Sequence, residues 1–473
     1  MTDHTRDHMS DNGTDGSTDG STTDGATAGI TDDVRDRTAD GTPGPAARAY
    51  VTGIGLLAPN GLGLEPYWEA TLEGRTGIAP VTRFDVSRYP VRLAGQITRF
   101  EAGEHLPSRL LPQTDISTRF ALVAADWALA DAKIEPDAFT DYDMGVVTSN
   151  ATGGFEFTHR EFKKLWSQGP ASVSVYESFA WFYAVNTGQI SIRNKLRGPS
   201  SALVAEQAGG LDALGHARRT VRRGTPMVVT GGVDSALDPW GWVSQIAGGR
   251  LSTVTDPRRA YLPFDAGATG YVPGEGGAIL VLEDARAAGS RGAQRVYGEI
   301  AGYASTFDPP PGSPRPPGLR RAVEQALADA GVSAGDVDVV FADAAGVPEL
   351  DRREAAVISG LFGPQAVPVT APKALTGRLY SGGGPVDVAC ALLSIRDGVI
   401  PPSGGTAQVP EEYRIDLVRT APRPGPVTTA LVLARGKWGF NSAVVVRAVD
   451  GADAPAPHPS SHPSPTLPEA SDG

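Results

Sequence analysis

The chain has 473 residues, with 42 Lys plus Arg against 54 Asp plus Glu and a net charge of −12. Its 40% hydrophobic and 20% charged content supports a large core and excludes global disorder, and the length suggests two or three domain-sized units. A single Cys excludes a disulfide framework and any multi-thiolate metal site, and no apolar run approaches the ~20 residues of a membrane span.

Residues 1–47 hold ten Asp and three Arg among Gly, Thr, Ser and Ala. A segment with so few large apolar side chains does not offset its ordering entropy, so it reads as a disordered acidic tail. It lacks the apolar core of a signal peptide, so a cytoplasmic location is expected. The folded body opens with an apolar strand from Ala49 to Leu57, closed by a turn at Ala58-Pro59-Asn60-Gly61. Gly53 and Gly55 sit in a near match to the dinucleotide fingerprint GxGxxG, but Pro59 falls where the phosphate-binding helix would run. An amphipathic helix is predicted over 114–131, with Phe120, Val123, Trp127 and Ala130 at three- and four-residue spacing. Strands follow at Met144–Ser149 and Ser201–Ala205, a helix begins near Gln207, and further strands lie at Met227–Gly232 and Ala278–Leu282. After the stiff, Pro-rich connector 308–317, a second run of the same kind appears. It comprises a helix at Leu319–Ala330, a strand at Val337–Ala342, helices at Arg353–Leu361 and Val386–Ile395, and strands at Val427–Ala434 and Ser442–Ala448. Two similar alternating runs, 48–290 and 291–448, argue a layered α/β fold. Residues 449–473 are Pro- and Ser-rich and acidic, a second disordered tail. The tails carry most of the negative charge and leave the body at −1, so no basic excess points to nucleic acid as a partner.

Several segments, in order along the body, carry a family likeness. Val51-Thr-Gly-Ile-Gly with Trp68 and Phe84-Asp85 opens it. Pro263-Phe264-Asp265 with Gly274-Glu275-Gly276-Gly277, then Lys373-Ala-Leu-Thr-Gly377, then Gly436 to Asn441 complete it. In these segments the chain resembles the β-ketoacyl synthases. The resemblance implies a thiolase-like, five-layered α/β/α/β/α fold built from two similar halves. An active member needs a Cys at a helix N-terminus to hold an acyl thioester. It also needs two His to stabilise the anions of decarboxylation and condensation. Aligned on the family motifs, Gln207 replaces the Cys, Asp343 the first His and Arg378 the second, while Lys373 and Glu275 are retained. His105, His159 and His216, the three His of the body, lie outside the matched motifs, and Cys390 sits in an apolar helical stretch.

This pattern is similar to the chain-length factors, or ketosynthase β subunits, of bacterial type II (aromatic) polyketide synthases. The resemblance implies a subunit without an intact catalytic site of its own, within an acyltransferase complex. Its partners would be a catalytic ketosynthase α subunit and an acyl carrier protein that brings the phosphopantetheine arm. No cofactor or metal of its own is implied. A rival reading makes the Gln207 amide a malonyl-carrier decarboxylase group. Against it, Asp343 would repel a developing enolate, and the amide would instead fill the old cavity and satisfy local backbone groups. Asp343 and Arg378, if both face the old pocket, should form an ion pair. Thr118, Leu122 and Phe155 are candidates to line the polyketide tunnel. Lys437 replaces an aromatic in the closing loop that gates active enzymes. The run Tyr176, Phe179, Trp181, Phe182 and Tyr183 is either an interior cluster or a subunit interface.

Overall fold

A computed structural model describes residues 47–134, 139–140, 142–310 and 312–449. The two predicted tails fall outside these residues, apart from their inner edges. Eleven strands hydrogen-bond side by side. In chain order they are β1 (Ala49–Ala58), β2 (Met144–Ser149), β3 (Ser200–Leu203), β4 (Met227–Asp234), β5 (Gly276–Asp284), β6 (Gly298–Phe307), β7 (Val339–Phe341), β8 (Pro368–Thr370), β9 (Asp416–Leu417), β10 (Thr429–Arg435) and β11 (Phe440–Arg447). Their spatial order is β9-β8-β7-β10-β11-β6-β1-β5-β4-β2-β3, with the short strand Gly61–Leu62 paired to β1.

The order contains a repeat. In the first half, β1 pairs antiparallel with β5, β5 antiparallel with β4, and β4, β2 and β3 run parallel. In the second, β6 pairs antiparallel with β11, β11 antiparallel with β10, and β10, β7 and β8 run parallel. The halves meet where β1 and β6 pair, Tyr50 opposite Glu299 and Val51 opposite Gly298. The helices repeat as well. Helix α1 (Ile116–Asp131) covers β1 and β5, as α5 (Leu319–Ala330) covers β6 and β11. Helices α3 (Gly209–Arg222) and α7 (Gly383–Asp397) lie between the halves and touch strands of both. This is the thiolase-like layering that the resemblance implied. Helices α2 (Phe155–Gln168), α4 (Pro239–Ala247) and α6 (Pro348–Phe362) complete the set used below.

Close helix-on-strand contact explains Gly53 and Gly55 better than any nucleotide motif. A Cβ on Gly53 would lie 2.2 Å from the Ala128 carbonyl of α1. In the second half a Cβ on Gly302 would lie 2.2 Å from the Ala326 carbonyl of α5. Both glycines let a helix settle directly on a strand, at matching places in the repeat.

Several elements depart from the sequence pattern. Strand β6, GEIAGYASTF, has too many small residues to read as a strand, yet it is paired on both sides by β1 and β11. Helix α6 starts five residues before its predicted position, with Pro348 in its first turn and Glu349 and Asp351 at its positive end. The stripe expected of α1 is incomplete. Ala130 is exposed, whereas Ala121, Leu122, Ala124, Ala125 and Ala128 off that stripe are buried, because neighbouring elements enclose the helix. The aromatic run is not interior: Trp181, Phe182 and Tyr183 are 49%, 39% and 38% exposed. Among the described residues no helix is long and apolar enough to cross a membrane.

Gly53→Ala should lower stability by about 1–3 kcal/mol, the usual cost of overpacking against a backbone that does not yield. Gly103→Ala, where a Cβ meets nothing within 4 Å, is the control; urea midpoints of the two variants compare them.

Candidate functional site

The residues expected at the site gather at the carboxyl ends of the parallel strands. Gln207 follows β3 on a tight turn (Glu206–Ala208) that leads into α3. Asp343 follows β7, and Lys373 and Arg378 lie between β8 and α7. The loop joining β10 to β11 closes over them.

Gln207 is fully buried, with its amide nitrogen directed at Gly383, the first residue of α7. A Cβ at Gly383 would lie 2.3 Å from that nitrogen. Among the described residues the carbonyl oxygen Oε1 has no hydrogen-bond partner, so this half of the amide does not meet a neighbouring backbone group as the sequence suggested. The space left by a glycine accommodates it, while an unmet buried acceptor costs about 1–3 kcal/mol. Glu206 has left-handed backbone, φ 51°. Its carboxylate accepts the N–H of Gln207 at 3.0 Å and of Lys437 at 2.9 Å, tying this turn to the closing loop.

Asp343 and Arg378 form a bidentate pair. Nη2 donates to Oδ1 at 3.0 Å and Nη1 to Oδ2 at 3.2 Å, and both side chains are buried. The guanidinium also donates to the carbonyls of Asp343 (3.0 Å) and Arg435 (3.1 Å), and lies 5.4 Å from the centre of the Tyr271 ring. Oδ1 accepts the Arg435 N–H at 2.9 Å. Burial pushes the Asp343 carboxyl up, but Arg378 and then Lys373 outweigh it and hold the group below the usual carboxylate range. The backbone N–H groups of Asp343 and Ala344 donate to Glu354 of α6 at 2.7 and 2.9 Å. Burial, then the charge of Asp343, raises the Glu354 carboxyl. Asp351 accepts the N–H groups of Phe264 (2.8 Å) and Gly346 (3.0 Å), and burial first pushes its carboxyl up to about 7.

Lys373 pairs with Asp387 of α7 at 2.6 Å and donates to the Ala342 carbonyl, beside Asp343. Glu275 belongs to a different network. It accepts two bonds from Arg83 at 2.7 Å each, one from Ser235 at 2.6 Å and the Ile97 N–H at 2.9 Å. Cys390 is buried in α7, and burial and then the Asp387 charge push its thiol well above the usual range, so no thiolate nucleophile forms. The imidazoles lie elsewhere: His105 stacks on Phe100, His159 pairs with Asp238, and His216 is on α3. Among the described residues no His, Cys, Asp and Glu are grouped to hold a metal ion. Among the described residues, no Cys or His side chain stands beside Gln207, Asp343 and Arg378.

Among the described residues two cavities stand out, one at this site and one apart from it. One, of ≈ 750 Å³, has a charged wall that includes Asp343, Arg378, Glu206, Arg435 and Lys437. The other, of ≈ 430 Å³, is walled by Phe155, Thr158, Phe162, Trp181, Tyr183 and Trp240, with Thr152, Gly154 and Glu177. Gln207 is on neither wall. Thr118 and Leu122 are also on neither; they are buried in α1, and Leu122 packs in the core beneath it. Phe155 lines the second cavity. Thr158, Phe162 and Trp240 share that wall and were not singled out from the sequence, although Phe155, Thr158 and Phe162 stand at helical spacing. The closing loop carries Trp438, 80% exposed with φ 63°.

Removing Arg378 alone leaves the Asp343 charge buried without its partner, so Arg378→Met should cost about 3–5 kcal/mol in urea unfolding. Pairing it with Asp343→Leu should recover much of that loss.

Comparisons with known proteins identify the family. The beta-ketoacyl synthase N-terminal domain matches residues 47–288, and the beta-ketoacyl synthase C-terminal domain matches residues 297–406. The chain is 72% identical, over 397 residues, to the actinorhodin polyketide beta-ketoacyl synthase 2 of Streptomyces coelicolor; the match covers 84% of this chain and 98% of that protein. It is 60% identical, over 402 residues, to the tetracenomycin polyketide synthase ketoacyl synthase beta subunit of Streptomyces glaucescens, covering 85% and 98%. Among solved structures it is similar to a type II polyketide synthase acyl carrier protein in complex with its ketosynthase bound to the hexaketide. That likeness has a TM-score of 0.77 and 25% identity, and covers 86% of this chain and 100% of the other. The ishigamide ketosynthase/chain length factor has the same fold, with a TM-score of 0.78 at 24% identity over 86% of this chain and 100% of the other. The chain belongs to the β-ketoacyl synthase family and, by these identities, to its ketosynthase β (chain-length factor) branch.

Proposed function

We propose that the chain is the non-catalytic subunit of a type II polyketide ketosynthase, pairing with a catalytic α subunit and shaping the tunnel that limits chain length. The observation that carries this reading is an intact family fold whose reacting positions hold Gln207, Asp343 and Arg378, the last two closed into an ion pair. The α subunit supplies the Cys and His. An acyl carrier protein delivers malonyl units on its phosphopantetheine arm, and the complex works in the cytoplasm.

Two surfaces support the pairing. Strand β3 lies at the edge of the sheet, with Ser200 and Ala202 exposed, and offers a free backbone row to another chain. Trp181, Phe182 and Tyr183 are exposed nearby in sequence, and aromatics of this kind are enriched in interface cores. The Phe155 cavity supports the chain-length role, since it is lined by bulky aromatic side chains whose size limits what it accommodates.

The decisive assay compares this chain, the α subunit and both together on malonyl-carrier protein. Polyketide should form only with both. Carbon dioxide release by this chain alone, lost in Gln207→Ala, would instead establish the decarboxylase reading. In the complex, Phe162→Ala and Trp240→Ala should deepen the cavity and make longer chains the main product by mass spectrometry. Unchanged product length in both would remove this cavity from the tunnel.

A further inference from the structure

The walls of the Phe155 cavity include side chains of two helices remote in sequence. Phe155, Thr158 and Phe162 are on α2, and Trp240 is in the first turn of α4. The Trp240 ring lies 4.8 Å from Phe155 and 6.0 Å from Phe162, centre to centre. A side-chain hydrogen bond joins the helices immediately beside these rings. His159 of α2 donates from Nδ1 to Oδ2 of Asp238, the residue that caps α4, at 2.6 Å.

Asp238 divides its two oxygens. Oδ1 accepts the Gly241 N–H at 2.6 Å, which is the capping bond. A Ser or Asn would serve as well for that purpose. The second oxygen is surplus to capping and is the one that reaches His159. Asp238 is 3% exposed, so this carboxylate is held inside the protein next to the aromatic wall. Burial raises its carboxyl, and the Gly241 N–H and then the charge of His159 act in the opposite direction. On α2, His159 stands four residues after Phe155 and three before Phe162, so all three project from one side of the helix. The bond ties the side of α2 that carries both Phe rings to the turn that carries Trp240.

We propose that the His159–Asp238 pair is a positioning device for chain length, holding Trp240 against Phe155 and Phe162 and so setting the depth of the cavity. The inference rests on the reading of that cavity as a tunnel wall, and goes beyond it by assigning control to two residues of which Asp238 is on no cavity wall and His159 on neither. Without the bond the first turn of α4 relaxes, Trp240 moves off the two Phe rings, and a longer chain fits.

The test uses the complex with the α subunit and reads the ratio of longer to normal-length polyketide by mass spectrometry. The variants are His159→Leu, Asp238→Ser, the two combined, His159→Asn, Trp240→Ala and Phe162→Ala. Ser keeps the cap and loses the second oxygen; Asn places an amide N–H near the position of Nδ1. His159→Leu and Asp238→Ser should each raise the ratio about threefold or more, in keeping with loss of one partly exposed charged hydrogen bond. The combination should add little, because both remove the same interaction, and His159→Asn should return the ratio towards that of the unmodified protein. If Trp240→Ala lengthens the product while His159→Leu leaves the ratio unchanged, the positioning role is overturned and the tunnel reading stands. A lower yield at an unchanged ratio in His159→Leu counts against it in the same way. If Trp240→Ala and Phe162→Ala also leave the ratio unchanged, the tunnel reading fails and this inference with it.

Discussion

Before its last turn, helix α7 has no side that faces water. Its residues from Gly383 to Ser394 are all buried, between the strands of the two halves. That position imposes a rule on everything around its first turns, because a polar group there is either paired or costly. Asp387 is met by Lys373, Lys373 also donates to the Ala342 carbonyl, and Asp343 next to it is met by Arg378. The glycines at the start of the helix let Gln207 and α3 approach closely. The old reaction centre is thus closed by the same packing that holds the halves together.

The closure explains why a site without its nucleophile and imidazoles keeps so many ionisable groups. A His replaced by Asp or Arg singly would leave a buried, unpaired charge. Here the two replacements occur together and neutralise each other, with backbone carbonyls and N–H groups taking up the remaining hydrogen-bonding capacity of the pair. Lys373 remains because Asp387 would otherwise be stranded. Glu275 remains because it joins Arg83, Ser235 and the Ile97 backbone. These retained residues are structural ties in this chain, with no substrate role needed to account for them.

The two cavities divide along the same line. The larger one ends on the ion pair and is charged, as a former reaction chamber filled with compensated groups would be. The smaller one is aromatic and lies between α2 and α4, away from the former nucleophile. Such a wall needs bulk and position to shape a product, and no acid or base.

Much of this was legible in order along the chain. Alternating runs of helix and strand and the glycine-marked motifs with Gln207, Asp343 and Arg378 among them are local in sequence, and they identify the layered fold and the family. What only the tertiary structure decided depends on contacts between distant segments. Strand β6 is a strand because two neighbours hydrogen-bond to it, although its own small residues carry little preference. Thr118 and Leu122, expected to line the tunnel, stand one turn apart on α1, but the neighbouring elements enclose them in the core. Phe155 reached a cavity wall because α4 brings Trp240 across to it, a meeting of residues 85 positions apart. Whether a side chain faces a cavity or a core is set by what packs opposite, and periodicity within one helix carries no information about that partner.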